Sequence, residues 1–348
     1  MDAKKFGLAA KGCLGLLILV SAPCRAEASA PEFSLSWPTP NPAFARGMGY
    51  AAFLQKTGPD KPVTSGAYGC VRNNGYKFHE GLDLYPLKRD SRGRAEDEVF
   101  AAMDGVVSHL SPVSGHSSYG KYVVLEHPSL TPALYTLYAH LAEVNPNLKV
   151  GSRLKVAAPL GKMGNTSAGY RIPLNRSHLH FEVGLRLTDH FQSWYASRKF
   201  STPNRHGNYS GFNLVGLNPL DFYGRYKAKS IASPLDFLRS LPVVTTARAR
   251  FRGTPDFTTR YPSLSRPLKP GETPEAWDAS FGPHGIPLRL VPAAGPPPTG
   301  SSPFRILSYD EKADADSRSC RALVKGGSAS RVPSEQLKVY LELLFRSR

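Results

Sequence analysis

Cysteine is scarce in this chain, and its scarcity excludes cysteine-based metal chemistry. Of four cysteines in 348 residues, Cys13 and Cys24 lie near the N-terminus, and Cys70 and Cys320 are far apart in the rest of the chain. This spacing matches no zinc-finger pattern, in which ligands recur a few residues apart. In an oxidising compartment the two distant thiols predict one disulfide, Cys70–Cys320, with two free thiols as the alternative.

Acidic residues are also few. Asp and Glu number 27 against 44 Lys and Arg, which gives a net charge of +17. The excess is spread along the chain without a concentrated basic stretch, so the sequence predicts no nucleic-acid partner. A positive protein is attracted to anionic surfaces such as cell-wall or envelope polymers. The alternative interpretation is that the charge serves solubility only.

The sequence lacks an apolar run long enough to span a membrane. Its strongest run, Leu14–Val20, is far shorter than the ~20 residues that a membrane helix needs. Lysines such as Lys4 precede the run and small residues such as Ala26 follow it, which is typical of a secretory signal peptide. We therefore predict a signal peptide at residues 1–28 and export to the periplasm, the cell envelope or the exterior, with no membrane span in the mature protein.

Short β segments dominate the middle of the chain. Residues 99–183 alternate apolar stretches with Gly, Asp and Pro and show no sustained helical period. The Asp104-Gly105 pair predicts a hairpin between its two flanking segments. The predicted strands are Val99–Ala102, Val106–Leu110, Tyr122–Glu126, Leu134–Ala139 and Leu179–Leu185.

The composition predicts three segments after the signal peptide. Residues 29–62, rich in Pro and Gly, form an N-terminal arm or tether; residues 63–223 form the main domain; residues 224–348 form a smaller basic α+β unit. This last unit has twenty Lys and Arg against eleven Asp and Glu. Its predicted elements are strands at Ile286–Val291, Phe304–Tyr309 and Cys320–Val324, and a helix that buries Leu337, Tyr340, Leu341 and Leu344.

The first candidate metal cluster is His79-Glu80-Gly81-Leu82-Asp83. On a regular strand His79 and Asp83 would lie ~13 Å apart, too far to share an ion. They converge only if the backbone bends at Gly81. Glu80 resembles the base of helical zinc proteases, but Gly81 and Pro86 disfavour a helix here, so we expect Glu80 to point away.

Two further clusters supply histidines. In His178-Leu179-His180-Phe181-Glu182 the alternation predicts a strand with His178 and His180 on one face, and Glu182 continues that face, where it would orient a ligand imidazole. His140 follows another predicted strand. Two histidines, one Asp and an open position make up an accepted catalytic zinc set, and the absence of thiolates favours zinc over copper(I) or an iron–sulfur cluster.

The order of these motifs resembles the lysostaphin/LytM-type zinc endopeptidases over roughly residues 63–223. The segments that carry the resemblance are Val63-Thr64-Ser65-Gly66, Tyr68-Gly69, His79 with Asp83, Ala102-Met103-Asp104-Gly105-Val106, Lys121-Tyr122-Val123-Val124-Leu125-Glu126-His127, Tyr138-Ala139-His140-Leu141, His178-Leu179-His180-Phe181-Glu182 and Asn218-Pro219.

The resemblance implies a compact, mainly β, antiparallel catalytic domain and one Zn²⁺ per chain on His79, Asp83 and His180. It implies His140 and His178 as the catalytic pair; we assign His178 as general base and His140 as oxyanion donor, and the reverse assignment stays open. The implied substrate is the peptide crosslink of bacterial peptidoglycan. Two segments depart from the pattern, Tyr170–Ser177 and Arg186–Leu217, and both bear on the shape of the groove.

Two other functions remain as alternatives. One is a non-catalytic wall-binding regulator or amidase activator built on the same domain; such proteins usually lose ligands, whereas all five functional positions are present here. The other is a metal-dependent hydrolase of small molecules, which needs a deep pocket in place of an open groove. The sequence does not identify the bond that is cut, although the lack of a Gram-positive wall-binding repeat favours a D-alanine crosslink over a pentaglycine bridge.

Overall fold

A computed structural model provides the structure of the chain, and it describes Met1 and residues 33–315, 317–328 and 330–346. The predicted signal peptide at residues 1–28 lies, apart from Met1, outside the described residues. Pro31–Arg348 form one compact unit. Within the described ranges, no helix has the length and apolar character needed to cross a bilayer.

The fold is mainly β, as predicted, and all named strands pair antiparallel. The strands are β1 (Gly69–Arg72), β2 (Lys77–His79), β3 (Leu82–Leu84), β4 (Glu98–Phe100), β5 (Gly105–Ser111), β6 (Lys121–His127), β7 (Leu134–Leu141), β8 (Glu143–Val144), β9 (Arg153–Leu154), β10 (Pro159–Lys162), β11 (Leu179–Arg186), β12 (Leu214–Gly216), β13 (Thr245–Arg250), β14 (Ala276–Phe281), β15 (Pro287–Pro292), β16 (Phe304–Tyr309), β17 (Val324–Lys325) and β18 (Val332–Pro333).

Helices are short and lie mostly after residue 190. The α-helices are α1 (Phe191–Ser197), α2 (Pro219–Lys227), α3 (Pro234–Arg239), α4 (Asp256–Arg260), α5 (Arg318–Arg321) and α6 (Glu335–Leu344), and the 3-10 turns are Tyr50–Ala52, Val63–Gly66, Ser114–His116, Leu174–Arg176, Pro262–Leu264 and Pro283–Gly285.

The central sheet has the strand order β12-β11-β7-β6-β5-β9, and β3 pairs with the start of β11 on the edge opposite β7. Every residue of β7 and of β11 is buried, because other parts of the chain cover both faces of the sheet. Strand β7 is largely apolar along its length, whereas β11 alternates apolar residues such as Phe181 with polar residues such as His180 and Glu182 although it is buried throughout. The polar residues that remain on these buried strands, among them His140 and His180, therefore need partners inside the protein.

The predicted hairpin at Asp104-Gly105 is wrong. Strand β4 pairs with β10 in a separate three-stranded sheet, whereas β5 pairs with β6 and β9. The Asp104 side chain accepts hydrogen bonds from Val156 N (2.7 Å) and Lys155 Nζ (2.8 Å) instead of closing a tight turn. A Cβ at Gly105 would lie 2.7 Å from His127 Nδ1, so this glycine is needed for a close approach between strands.

The N-terminal segment from residue 33 packs along the core. The Trp37 ring stacks on Phe44 with centroids 4.5 Å apart and meets Tyr223 edge-on. Gln55 N donates to Asp83 O at 2.8 Å, so the segment runs beside β3. It therefore contributes to the surroundings of the site described below.

The C-terminal part contains a four-stranded antiparallel sheet, β15-β14-β13-β16, and the predicted helix appears as α6. Helix α2 begins at Pro219 and is capped by Asn218, whose side chain accepts from Leu220 N and Asp221 N; the helix runs across the boundary predicted at residue 224. Trp194 Nε1 donates to Glu342 Oε2 of α6 at 3.0 Å. The division at residue 224 stays a prediction.

The structure confirms the disulfide between Cys70 and Cys320. The strand predicted at Cys320–Val324 is wrong, because Cys320 lies in α5 and β17 begins only at Val324. Next to the bridge, the Arg321 guanidinium lies 3.8 Å from the centroid of the Phe78 ring, a cation–π contact that fixes the end of α5 against β2.

Candidate metal centre and cleft

Three ligand atoms converge at the junction of β2, β3 and β11. His79 Nε2 lies 3.1 Å from His180 Nδ1 and 3.2 Å from Asp83 Oδ1, and His180 Nδ1 lies 3.2 Å from Asp83 Oδ1. A tetrahedral zinc ion with bonds of ~2.1 Å spaces its ligand atoms about 3.4 Å apart. The residues therefore fit one such ion, and they form the only group of this kind found among the described residues.

The backbone achieves this convergence by breaking the strand at Glu80 and Gly81. Strand β2 ends at His79, β3 starts at Leu82, and Asp83 lies opposite His180 in the pairing with β11. A Cβ on Gly81 would lie 2.2 Å from Phe181 O, so only glycine permits this approach. The bend expected at Gly81 is present.

Hydrogen bonds orient both imidazoles. His79 Nδ1 lies 2.7 Å from Ala67 O, and His180 Nε2 lies 2.9 Å from Glu182 Oε1. A proton on each of these outer nitrogens leaves the lone pair of the inner nitrogen directed at the shared point. Such partners fix the tautomer and raise the basicity of a ligating imidazole.

Glu182 is itself held by two tyrosines. The Tyr119 hydroxyl donates to Oε1 at 2.7 Å and the Tyr135 hydroxyl donates to Oε2 at 2.8 Å. Burial, and next the charge of Glu182, raise the pKa of both hydroxyls well above the usual value, so they remain donors. Glu182 is thus fixed as a charged acceptor for His180, in the orienting position predicted for it.

Asp83 has a second partner that sequence reasoning missed. Arg72 Nη2 donates to Asp83 Oδ2 at 2.5 Å, which leaves Oδ1 for the shared point. Burial alone would raise the pKa of Asp83, but Arg72 and then His79 outweigh it and hold that pKa well below its usual value. No pattern around Arg72 signals this role, because the contact joins β1 to β3, two strands that do not pair with each other.

His140 and His178 lie next to this centre, with ring centroids 4.9 Å apart. His178 Nδ1 lies 2.7 Å from Arg176 O, and His140 Nδ1 lies 2.8 Å from Thr166 O. Each ring thus uses Nδ1 on a backbone carbonyl, and His178 Nε2 lies 3.5 Å from Asp83 Oδ1. His140 has a positive φ of 61°, which bends the chain at the end of β7.

The surroundings shift the pKa values of His140 and His180 in opposite directions. Burial lowers the pKa of His140 well below 6.5, and the neighbouring His178 and His180 lower it further. Burial also acts to lower the pKa of His180, but hydrogen bonds to Asp83 and Glu182 outweigh it and raise that pKa to about 9. The surroundings of His180 therefore favour a positive charge at the shared point.

A cleft of about 150 Å³ opens on the centre. Asp83, His140 and His178 contribute to its lining. Glu80 lines a different cavity, beside Tyr119, in agreement with the expectation that it points away. All five predicted site residues thus lie together, while Arg72, Tyr119 and Tyr135 are the neighbours that the sequence did not reveal.

Comparison with known proteins gives one family match. Residues 77–191 match the model of Peptidase family M23. No curated protein matches the chain.

Several solved structures are similar to part of the chain. A protein of Ruminococcus gnavus assigned as a LytM glycyl-glycine endopeptidase is 24% identical, with 31% of this chain and 40% of that chain covered and a TM-score of 0.25. The lysostaphin catalytic domain of Staphylococcus simulans is 26% identical (34% and 74% covered, TM-score 0.23), and a zinc-containing peptidase of Vibrio cholerae is 28% identical (38% and 33%, TM-score 0.24). The chain thus spans less than half the length of the first and third of these proteins.

Proposed function

We propose that this chain, whose residues 77–191 form a Peptidase family M23 domain, is a zinc-dependent endopeptidase that hydrolyses peptide crosslinks of bacterial peptidoglycan. The observation that carries the proposal is the meeting of three ligand atoms within 3.2 Å of one another, beside two histidines that are each held through Nδ1 by a backbone carbonyl. An inactive relative has no need to keep all five groups.

His79, Asp83 and His180 would hold the metal, one ion per chain. When bound, zinc supplies a water of pKa ~7 as the nucleophile for peptide hydrolysis. Thiolates are absent from the set, which agrees with a catalytic zinc site that keeps an open position. Glu182 and Arg72 keep the ligands in place, so little reorganisation is needed on binding.

His178 is the general base in this proposal. Its Nδ1 proton is committed to Arg176 O, so its Nε2 accepts the proton that the nucleophile loses. His140, held through Thr166 O and with its ring centroid 4.9 Å from that of His178, receives this proton from His178 at its Nε2, donates it in a hydrogen bond to the oxyanion and delivers it to the leaving amine. The two rings have equivalent hydrogen bonds, so exchanging these roles is the second assignment to test.

The exported location and the wall substrate belong to the same proposal. Peptidoglycan lies outside the cytoplasmic membrane, which agrees with the signal peptide proposed for residues 1–28. The surplus of Lys and Arg favours retention on anionic envelope polymers. We expect a D-alanine crosslink to be the bond cut.

Digestion of defined muropeptides tests the function. Zinc-loaded protein should convert crosslinked dimers into monomers, and mass spectrometry of the products should locate a cleaved peptide bond; chelator treatment should stop the reaction. A non-catalytic regulator would leave every muropeptide intact and would act only by stimulating an added amidase. That result would replace the proposed enzyme with the alternative.

A further inference from the structure

The cleft beside the proposed centre is strongly cationic. Lys56, Arg72, Arg171 and Arg176 line it, and Asp83 is the only carboxylate among the described residues that do so. Because Arg72 is paired with Asp83, the charges of Lys56, Arg171 and Arg176 have no carboxylate in the cleft to balance them. A ligand entering this cleft meets an excess of positive charge.

Arg171 is the most available of these cations. Its side chain is exposed, and it forms no ion pair with any residue that the structure describes. Arg176 uses Nη1 to bond Thr57 O, and Lys56 Nζ donates to Pro59 O at 2.5 Å, so both are partly occupied by the N-terminal segment. Arg171 has its full set of guanidinium donors free.

The backbone around Arg171 is fixed. The carbonyl of Tyr170 accepts from Ser167 Oγ, and the carbonyl of Ile172 accepts from Asn165 Nδ2 at 2.8 Å. Ile172 is buried, and the segment continues to His178, whose N–H bonds Gly164 O at 2.9 Å. Arg171 is therefore held at the cleft by bonds on both sides, which reduces the entropy lost when it binds a ligand.

We infer that the substrate presents a carboxylate beside the scissile bond and that Arg171, assisted by Arg176 and Lys56, binds it. This inference rests on the proposed function and specifies its substrate as an acidic peptide. A guanidinium matches the two oxygens of a carboxylate, and such charge-assisted hydrogen bonds are stronger than neutral ones. A bridge made of glycine alone offers no side-chain or terminal carboxylate within the crosslink and would leave these cations unpaired.

Two synthetic crosslinked peptides test the inference. They are identical except that the carboxylates flanking the scissile amide are free in one and are carboxamides in the other. We expect the wild-type, zinc-loaded protein to cleave the carboxylate peptide about 10- to 100-fold more efficiently in kcat/KM, the range for losing charged hydrogen bonds. Arg171→Gln should remove most of this preference by lowering kcat/KM for the carboxylate peptide alone, and Arg171→Lys should retain part of it.

Arg289→Gln is the matched control, because Arg289 is also exposed, lies on β15 and does not line the cleft. It removes the same charge and should leave both rates unchanged. Equal cleavage of the two peptides by the wild type, or an equal loss on both in Arg171→Gln, would overturn the inference. Loss of the preference for the carboxylate peptide in Arg289→Gln, to the same extent as in Arg171→Gln, would also overturn the inference. The preference would then reflect the overall charge of the protein.

Equilibrium binding separates this inference from the proposed function. Fluorescence anisotropy with both labelled peptides, in a zinc-loaded His178→Ala background whose turnover is expected to be too slow to consume them during the measurement, should show tighter binding of the carboxylate peptide. Added inorganic phosphate should compete only weakly if the cleft selects peptide carboxylates. Competition by phosphate at concentrations as low as those of the peptide would overturn the inference that the ligand is a peptide carboxylate. If the wild type hydrolyses neither peptide, the proposed function fails, while the binding preference still decides the inference.

Discussion

The two histidines of His178-Leu179-His180 lie two residues apart but have different surroundings. His180 has one nitrogen on Glu182 and the other at the shared point with His79 and Asp83. His178 has its Nδ1 on a backbone carbonyl and its Nε2 facing the cleft. This difference separates a ligand from a base, and it yields a prediction for each residue.

Substitution of these histidines should separate metal binding from turnover. His180→Ala removes one of three ligands, so we expect loss of bound zinc and of activity. His178→Ala removes only the proton acceptor, so zinc should stay while kcat falls by a factor of ~10²–10⁴. Zinc per chain is measured by inductively coupled plasma mass spectrometry after dialysis. The kcat is measured with a muropeptide dimer as substrate.

His116→Ala serves as the control, because His116 is exposed and lies outside the cleft that contains the centre. It should retain zinc and activity. Stoichiometric zinc in an active His180→Ala protein would refute the ligand assignment, and loss of zinc from His178→Ala would make His178 a ligand.

At the scale of elements, the pairing of β3 with β11 brings Asp83 next to His180. The approach is close because Gly81 has no side chain: a Cβ there would lie 2.2 Å from Phe181 O and 2.9 Å from Phe181 C. The obstacle is backbone of a fully buried strand, which cannot shift without disturbing the central sheet. The strand pairing and the metal site therefore depend on the same glycine.

We expect Gly81→Ala to destabilise the protein and weaken zinc binding together. Overpacking of this kind costs about 1–3 kcal/mol of unfolding free energy, measured by chemical denaturation. Gly224→Ala is the control, because Gly224 lies in α2 with nothing within 4 Å of an added Cβ. That change should raise stability by up to ~1 kcal/mol. Unchanged zinc affinity in Gly81→Ala would show that the centre does not depend on this pairing.

The sequence predicts a strand or turn well when local residues determine it, and poorly when residues distant in sequence determine it. Strands β6, β7 and β11 were predicted because buried β-branched and aromatic residues mark them locally. The hairpin at Asp104-Gly105 was wrong because Gly105 serves the approach of a distant residue, His127, and not a turn. Local sequence cannot distinguish these two uses of glycine.

In the candidate site too, the sequence predicts the features set by local spacing and misses those set by contacts between distant segments. His178 and His180 were assigned to one face because their spacing matches the strand period. The sequence does not predict the pairing of Arg72 with Asp83, because this pairing joins β1 to β3, two strands that do not pair with each other. Nor does it predict the place of Arg171, whose position is set by hydrogen bonds within the segment that precedes His178.

At the scale of the whole molecule, the part of the chain after residue 224 is tied to the part that contains the centre. Arg186 N donates to Tyr261 Oη at 3.0 Å, and Arg260 pairs with Asp189 at 2.6 Å. The Cys70–Cys320 bridge adds a covalent link across 250 residues of sequence. It joins α5 to β1, the strand that also carries Arg72.

Removing this bridge should lower stability without removing the site. In the chain-entropy model a loop this long contributes ~4–5 kcal/mol, which strain in the folded state reduces. We therefore expect the double variant Cys70→Ser with Cys320→Ser to unfold at a melting temperature about 5–15 °C lower. Zinc content and hydrolysis at 25 °C should persist, because neither cysteine is one of the three proposed ligands, His79, Asp83 and His180.

Reductant supplies the matched control for that experiment. Wild-type protein treated with tris(2-carboxyethyl)phosphine should melt like the double variant, and the double variant should not respond to it, because it has no bridge left to break. An equal melting temperature for oxidised wild type and double variant would show that packing alone holds the C-terminal part in place. Loss of zinc on reduction, with the fold intact by circular dichroism, would instead show that the bridge acts on the centre through β1 and Arg72.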